Sequence, residues 1–308
     1  MNPLLGGNIL LALGSAILWG GSDFTGGMGV KRAGSSLGVA LRVVLLSHIA
    51  SFSVLLFIAR LRGDPTPHPA LLAWGIAAGL SGGLSLTAFY IALSRGAMGA
   101  SAAVSGLLAA AIPAAFTLWL QGPPGLAPLL GFAVAAMAIW LIAATPAVEA
   151  SPAAGCAENA VVRAAARHTM ALAILAGVGF GFYFIALKMA SPAGVIWPMA
   201  SARIGSLTVC SLLLLGLRLR PANSAQARLS LNRAAVLWAL LTALLDTSGN
   251  LMFVAAARAG RLDIAAVLAS LYPASTILLA ALALGEWPTR RQAFGMAAAV
   301  LAVVLIAI

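Results

Sequence analysis

Ala70-Leu-Leu-Ala-Trp74-Gly-Ile-Ala-Ala-Gly79-Leu-Ser-Gly-Gly83-Leu-Ser-Leu-Thr-Ala-Phe89-Tyr90-Ile-Ala-Leu93 runs for 24 residues without a charge. About 20 apolar residues in a helix cross the hydrocarbon core of a bilayer. The stretch is not alone. Between Asp64 and Glu149 the only charged residue is Arg95. Bilayer hydrocarbon offers no water to open backbone groups, so such segments must be helices. The alternating pattern of a membrane β-barrel is absent.

Ten such segments can be marked, at about 8–29, 36–59, 70–93, 98–120, 125–144, 169–188, 195–217, 235–257, 263–285 and 291–308. Hydrophobic residues make up 62% of the 308 and charged residues 8%, against about 25% charged in soluble domains. The mean hydropathy is +1.04. Ordinary soluble and disordered classes are excluded. The fold class expected is an all-α integral membrane protein of ten transmembrane helices. The first segment lacks a basic region before it, so it reads as a retained helix and not a signal peptide. Small residues, as in Gly79-Leu-Ser-Gly-Gly83 and Gly177-Val-Gly-Phe-Gly181, let membrane helices approach closely.

The polar stretch from Thr145 to His168 divides the chain into residues 1–144, a linker at 145–168, and residues 169–308. A shift of 163 places Arg95 on Arg258, Gly122 on Gly285 and Tyr90-Ile-Ala92 on Phe253-Val-Ala255; a shift of 161 places Arg42 on Arg203. Charge is scarce here, so matched arginines carry more weight than matched alanines. Five helices per half is an odd number, so tandem copies would insert with opposite orientation. Inverted repeats with a site between the halves are typical of secondary transporters.

The net charge of +11 comes mostly from Lys and Arg between apolar segments, where they act as topology signals and headgroup contacts. No basic stretch carries interleaved aromatics, so nucleic acid is not an expected partner. Cys156 and Cys210 form no metal or redox spacing.

The chain resembles the EamA family of the drug/metabolite transporter superfamily. The resemblance rests on Leu18-Trp19-Gly20-Gly21-Ser22-Asp23-Phe24, Ala40-Leu41-Arg42, Tyr90-Ile-Ala-Leu-Ser-Arg95, Phe253-Val-Ala-Ala-Ala-Arg258 and Leu284-Gly285-Glu286. In the first half Gly122-Pro123 replaces the Gly-Glu pair. The resemblance implies ten helices, export or exchange of small metabolites, and both termini in the cytoplasm. Positive charge pulls the other way. With the N-terminus inside, the inner loops hold only Arg60, Arg62, Lys188, Arg258 and Arg261, and the outer loops hold eleven Lys and Arg.

A charge within hydrocarbon costs about 3 kcal/mol on insertion scales and marks a candidate site. Asp246 lies mid-segment, with Asn250 one turn on. It reads either as a substrate or proton-coupling carboxylate, or as a packing acid bonded to a neighbouring helix. Asp23, one turn after Trp19, reads as a cavity acid below an aromatic wall or as an acid near the membrane surface. Arg42 and Arg203 read as anion contacts, as partners of Asp23 or Asp246, or as snorkelling side chains. Tyr90, Tyr183, Tyr272 and Trp197 line a cavity or pack. His48 reads as a core histidine or a titrating one. Pro113 and Pro273 are expected to break the fourth and ninth helices. Glu286 reads as part of a surface cluster with Arg290 and Arg291.

No catalytic triad, metal motif or phosphate loop is present. The expectation is therefore a non-enzymatic secondary transporter without cofactor or metal, in a bacterial-type inner membrane. Its partners are a small-molecule substrate and the lipid bilayer. A monomer with both repeats can form a whole pathway, and an oligomer stays open. Uptake or facilitated diffusion on the same scaffold is the alternative. A membrane-embedded lipid-modifying enzyme would need acids clustered at one face, and the seven acids are scattered.

Overall fold

The computed structural model describes residues 3–95, 98–143, 156–219, 231–285, 287 and 289–307. The described residues are helices and their connections. In chain order they are α1 (Pro3–Arg32), α2 (Leu37–Arg62), α3 (Pro69–Arg95), α4 (Met98–Gln121), α5 (Leu126–Ala143), α6 (Cys156–Ala190), α7 (Ile196–Leu219), α8 (Arg233–Ala259), α9 (Leu262–Ala269), α10 (Tyr272–Leu284) and α11 (Arg290–Ala307). A single 3-10 turn, Ser191–Ala193, follows α6. Counting α9 and α10 as one broken span, eight segments are long and apolar enough to cross a membrane, and α5 is a shorter apolar helix. Large side chains such as Phe57, Leu213 and Leu278 point outward, as lipid-facing residues do.

Two local features differ from expectation. α6 begins at Cys156, inside the stretch read as a linker, so its polar first turns extend the helix beyond its apolar span. The rest of that linker, 145–155, lies outside the described residues, as does Glu286. Pro113 sits inside a continuous α4, with its carbonyl bonded by Thr117 at 2.8 Å. A proline removes one helical hydrogen bond, and packing against neighbours tolerates that loss in membrane helices. The corresponding break in the second half is real. α9 stops at Ala269, and α10 restarts at Tyr272 with Pro273 in its first turn, where a missing N–H costs nothing.

Contacts fix which helix ends meet. Asn8 near the start of α1 lies against Gly260 just past α8. At that same end, Lys188 donates to the Ala257 and Gly260 carbonyls, and Arg261 donates to the Gly122 carbonyl at 2.7 Å. Gly122 closes α4 with φ +69, a left-handed conformation natural to glycine. At the opposite end, Arg95 reaches the Ser35 carbonyl, Arg291 lies 4.6 Å over the Trp140 ring and Arg32 lies 5.6 Å over Trp238. α1 thus runs from the first end to the second, and α6 runs back.

The main packing crosses between the halves. α1 packs on α8, α3 on α6 and α7, α5 on α11, and α4 on α6. The α3–α7 contact is made by backbones. A Cβ on Gly79 would overlap the Ala202 carbonyl, and one on Gly205 would overlap the Ile76 carbonyl. Gly75 and Gly83 meet Ser201 and Ser206 in the same way. Spacing of four puts Gly75, Gly79 and Gly83 on one face of α3, which is how the small-residue pattern in the sequence is used.

Candidate functional site

Arg203 sits two turns into α7 and is 3% exposed. A guanidinium has donors only, and the protein supplies acceptors on two other helices. Its Nη2 pairs with Asp246 Oδ2 on α8, its Nε donates to Ser51 Oγ at 2.9 Å, and its Nη1 meets His48 Nε2 at 2.9 Å, both on α2. Because arginine cannot accept, His48 Nε2 must be the acceptor, and the imidazole is the neutral tautomer with its proton on Nδ1. That proton faces Ser206 Oγ at 2.7 Å, and Ser206 donates on to the Arg203 carbonyl at 3.1 Å. The loop Arg203–His48–Ser206–Arg203 is closed.

Asp246 is held on both oxygens. Oδ2 takes Arg203, and Oδ1 accepts from Asn250 Nδ2 at 2.9 Å. Asn250 Oδ1 in turn accepts from Tyr183 of α6 at 2.7 Å. Thr247, next along α8, donates to Ser51 at 2.7 Å. An ion pair buried away from water repays its desolvation only when its remaining polar atoms are bonded, and here they are. The network ties α2 of the first half to α6, α7 and α8 of the second.

Beside it lies a narrow, partly open cavity of about 50 Å³, room for a few waters in this conformation. One wall is glycine: Gly79, Gly82 and Gly83 of α3. The facing side carries His48, Arg203, Asp246, Asn250 and Tyr183. An aromatic wall is built from Trp19, Phe180, Phe184 and Tyr272. Trp19 stacks flat on Phe184, with centroids 5.2 Å apart and planes 2° apart, and Phe253 backs both. Tyr272 shares a 2.5 Å hydrogen bond with Ser105 of α4.

Of the residues singled out in the sequence, Trp19, Asp23, Arg203, Asp246, Asn250 and Tyr272 line this cavity. Arg42 does not. It is partly exposed and donates to the Gly38 carbonyl of its own helix. Tyr90 does not either. It is fully buried, its ring lying on Gly26 of α1. Trp197 is also elsewhere. The pairing of Arg203 with Asp246 is one of the alternatives the sequence left open. His48 is drawn fully into the network, and Ser51, Ser206 and Thr247 were not singled out. Ser51 is three residues from His48 and Ser206 three from Arg203, positions that share a helix face.

Asp23 stands apart from all of this. It is 6% exposed and lines the cavity one turn beyond Trp19, yet its carboxylate has no hydrogen bond or ion pair among the described residues.

Residues 168–308 match the profile of the EamA-like transporter family. Through this half the chain is similar to the EamA family, a transporter family of the drug/metabolite transporter superfamily. That similarity and the eight apolar helices indicate an integral multi-pass membrane protein. Nineteen solved chains also match. One, a crystal structure of a protein 15% identical to this one, superimposes with a TM-score of 0.67 over 97% of this chain and 95% of its own. That likeness concerns the fold, and it covers both halves, where the EamA profile covers one. No curated protein matches the sequence.

Proposed function

We propose that this EamA-like protein is a secondary transporter that exports small amine-bearing metabolites, amino-acid-like in size, through the cavity between its halves. The observation that carries the reading is a cavity lined by an ion pair and an unpaired acid among helices of membrane-spanning length. Ionisable residues at membrane depth face the pathway of the transported species, and transporter sites lie at the interface of repeats.

Packing supports reading residues 1–144 and 169–308 as inverted repeats of five helices around the 145–168 linker. Exchange of the halves turns the α1–α8 contact into the α6–α3 contact and returns α5–α11 to itself. α1 and α6 also run in opposite directions. Alternating access follows as rocking of the halves about the cavity. The small-residue α3–α7 contact and the Arg203 network each cross between halves and serve as hinge and tie. A monomer suffices, in a bacterial-type inner membrane, with no cofactor and no chemistry on the substrate. Coupling to protons belongs to a carboxylate in the cavity. Asp246 is engaged on both oxygens and serves the scaffold, so an imposed pH gradient that drives transport would act through Asp23.

The test is a comparison of metabolites inside and outside cells that overproduce the wild type, the Asp246→Asn protein, or neither. Export predicts a compound enriched in the medium only when the protein is present. Enrichment inside the cells would establish uptake on the same scaffold. No difference among the three, at matched membrane levels, would overturn transport.

A further inference from the structure

The cavity holds three charged side chains, and two of them cancel. Arg203 is bound by Asp246, and its other two nitrogens are taken by Ser51 and His48. The tautomer of His48 leaves that ring neutral. Asp23 remains, more than nine-tenths buried and unpartnered among the described residues. A carboxylate kept from water without a cation or donor is costly, and nothing on the neighbouring helices offsets it. A proton can offset it, and so can a cationic group of the ligand.

Resting on the transporter reading, we propose that Asp23 is the specificity residue of the cavity, and that it selects ligands of net positive charge: small organic ammonium ions with an apolar body and no carboxylate. The ammonium sits on Asp23, and the apolar body lies along the aromatic wall. Trp19 is four residues before Asp23 on the same face of α1, and Tyr272 lines the cavity across from it. The Tyr272 hydroxyl is occupied by Ser105, so the ring is what it offers, and aromatic faces attract cations. A ligand carboxylate finds no counterpart. At Arg203 it would meet a guanidinium whose charge Asp246 already offsets, and it would add a further anion beside Asp246 and Asp23. Zwitterions therefore gain one contact and lose another, and anions only lose.

Three compounds that share a ring and a short chain separate these cases: 2-phenylethylammonium, phenylalanine and 3-phenylpropionate, with net charges of plus one, zero and minus one. Their binding to the purified full chain in lipid nanodiscs is measured by calorimetry. The ammonium is expected to bind at least tenfold tighter than either of the others. In Asp23→Asn, with an unchanged melting curve, the three affinities are expected to fall within about threefold of one another. Tighter binding of phenylalanine or phenylpropionate, an undiminished preference in Asp23→Asn, or no binding of any of the three would overturn the assignment. The wild-type series decides on its own if Asp23→Asn does not fold. Failure here stays distinct from failure of transport. An exported compound that is zwitterionic or anionic removes the charge selection and leaves the transporter standing.

Discussion

α3 and α8, which correspond in the proposed repeat, both line the same cavity. Asp246 on α8 corresponds, at the shift of 163 that pairs Arg258 with Arg95, to Gly83 on α3. Where one copy carries a carboxylate, the other carries a hydrogen atom. α2 and α7 differ in the same way. Arg203 is buried with partners on two other helices, and Arg42 is partly exposed against its own. On the proposed repeat, the charged residues of the site have no charged counterpart at the cavity in the other half. Glycines on α3 let α7 come close enough for Arg203 to reach α2 and α8 together. The bare wall is therefore a condition for the charged one.

The largest effect is expected where the asymmetry is greatest. Arg203→Ala leaves Asp246 without its cation inside the bundle and should cost about 3–5 kcal/mol, read as a large drop in folded yield and melting temperature. Adding Asp246→Ala should restore part of it, and a strictly additive double variant would break the claim that the pair acts as a unit. Next comes the bare wall. Gly79→Val has no room against the Ala202 carbonyl and should destabilise by about 1–3 kcal/mol. Gly216→Ala, with open space around it, should be neutral or gain up to about 1 kcal/mol through helix propensity. Equal melting temperatures for those two variants would count against backbone contact at α3–α7. His48→Ala strands one Arg203 N–H and takes the donor away from the Ser206 oxygen, and should cost about 1–3 kcal/mol. A variant as stable as the wild type would show that water replaces the ring. The smallest effect is expected at Arg42→Ala, below about 1 kcal/mol, because solvent and headgroups reach that side chain. A loss there as large as at Arg203 would restore symmetry between the two arginines.

Much of the fold was legible because charge is so rare. The ten apolar segments coincide within a few residues with described helices, eight of the spans being long and apolar enough to cross a membrane, except where polar residues continue α6 back to Cys156. Proline was the weaker guide. Pro113 and Pro273 look alike in sequence, but one is absorbed by α4 and the other opens α10. The difference lies in what packs around each, which a single strand of text does not carry. For the site, Asp246, Asn250 and Arg203 could be found by depth and charge. Their pairing needed the rotation of α7 against α8. His48 was undervalued because an isolated histidine says nothing of an arginine 155 residues away. Asp23 shows the limit most plainly, since the absence of a partner is visible only when every neighbour is in place.

The glycine face of α3 also bears on how such a protein diversifies. At Gly75, Gly79, Gly82 and Gly83 a single added methyl already collides with a neighbour. That side of the cavity has no tolerated first step toward a new shape. Trp19, Phe180 and Phe184 are large, and each can be trimmed one rung at a time without pushing on a backbone. New ligand preferences in this lineage should therefore arise by whittling the aromatic wall, with the glycines as the fixed side of the mould.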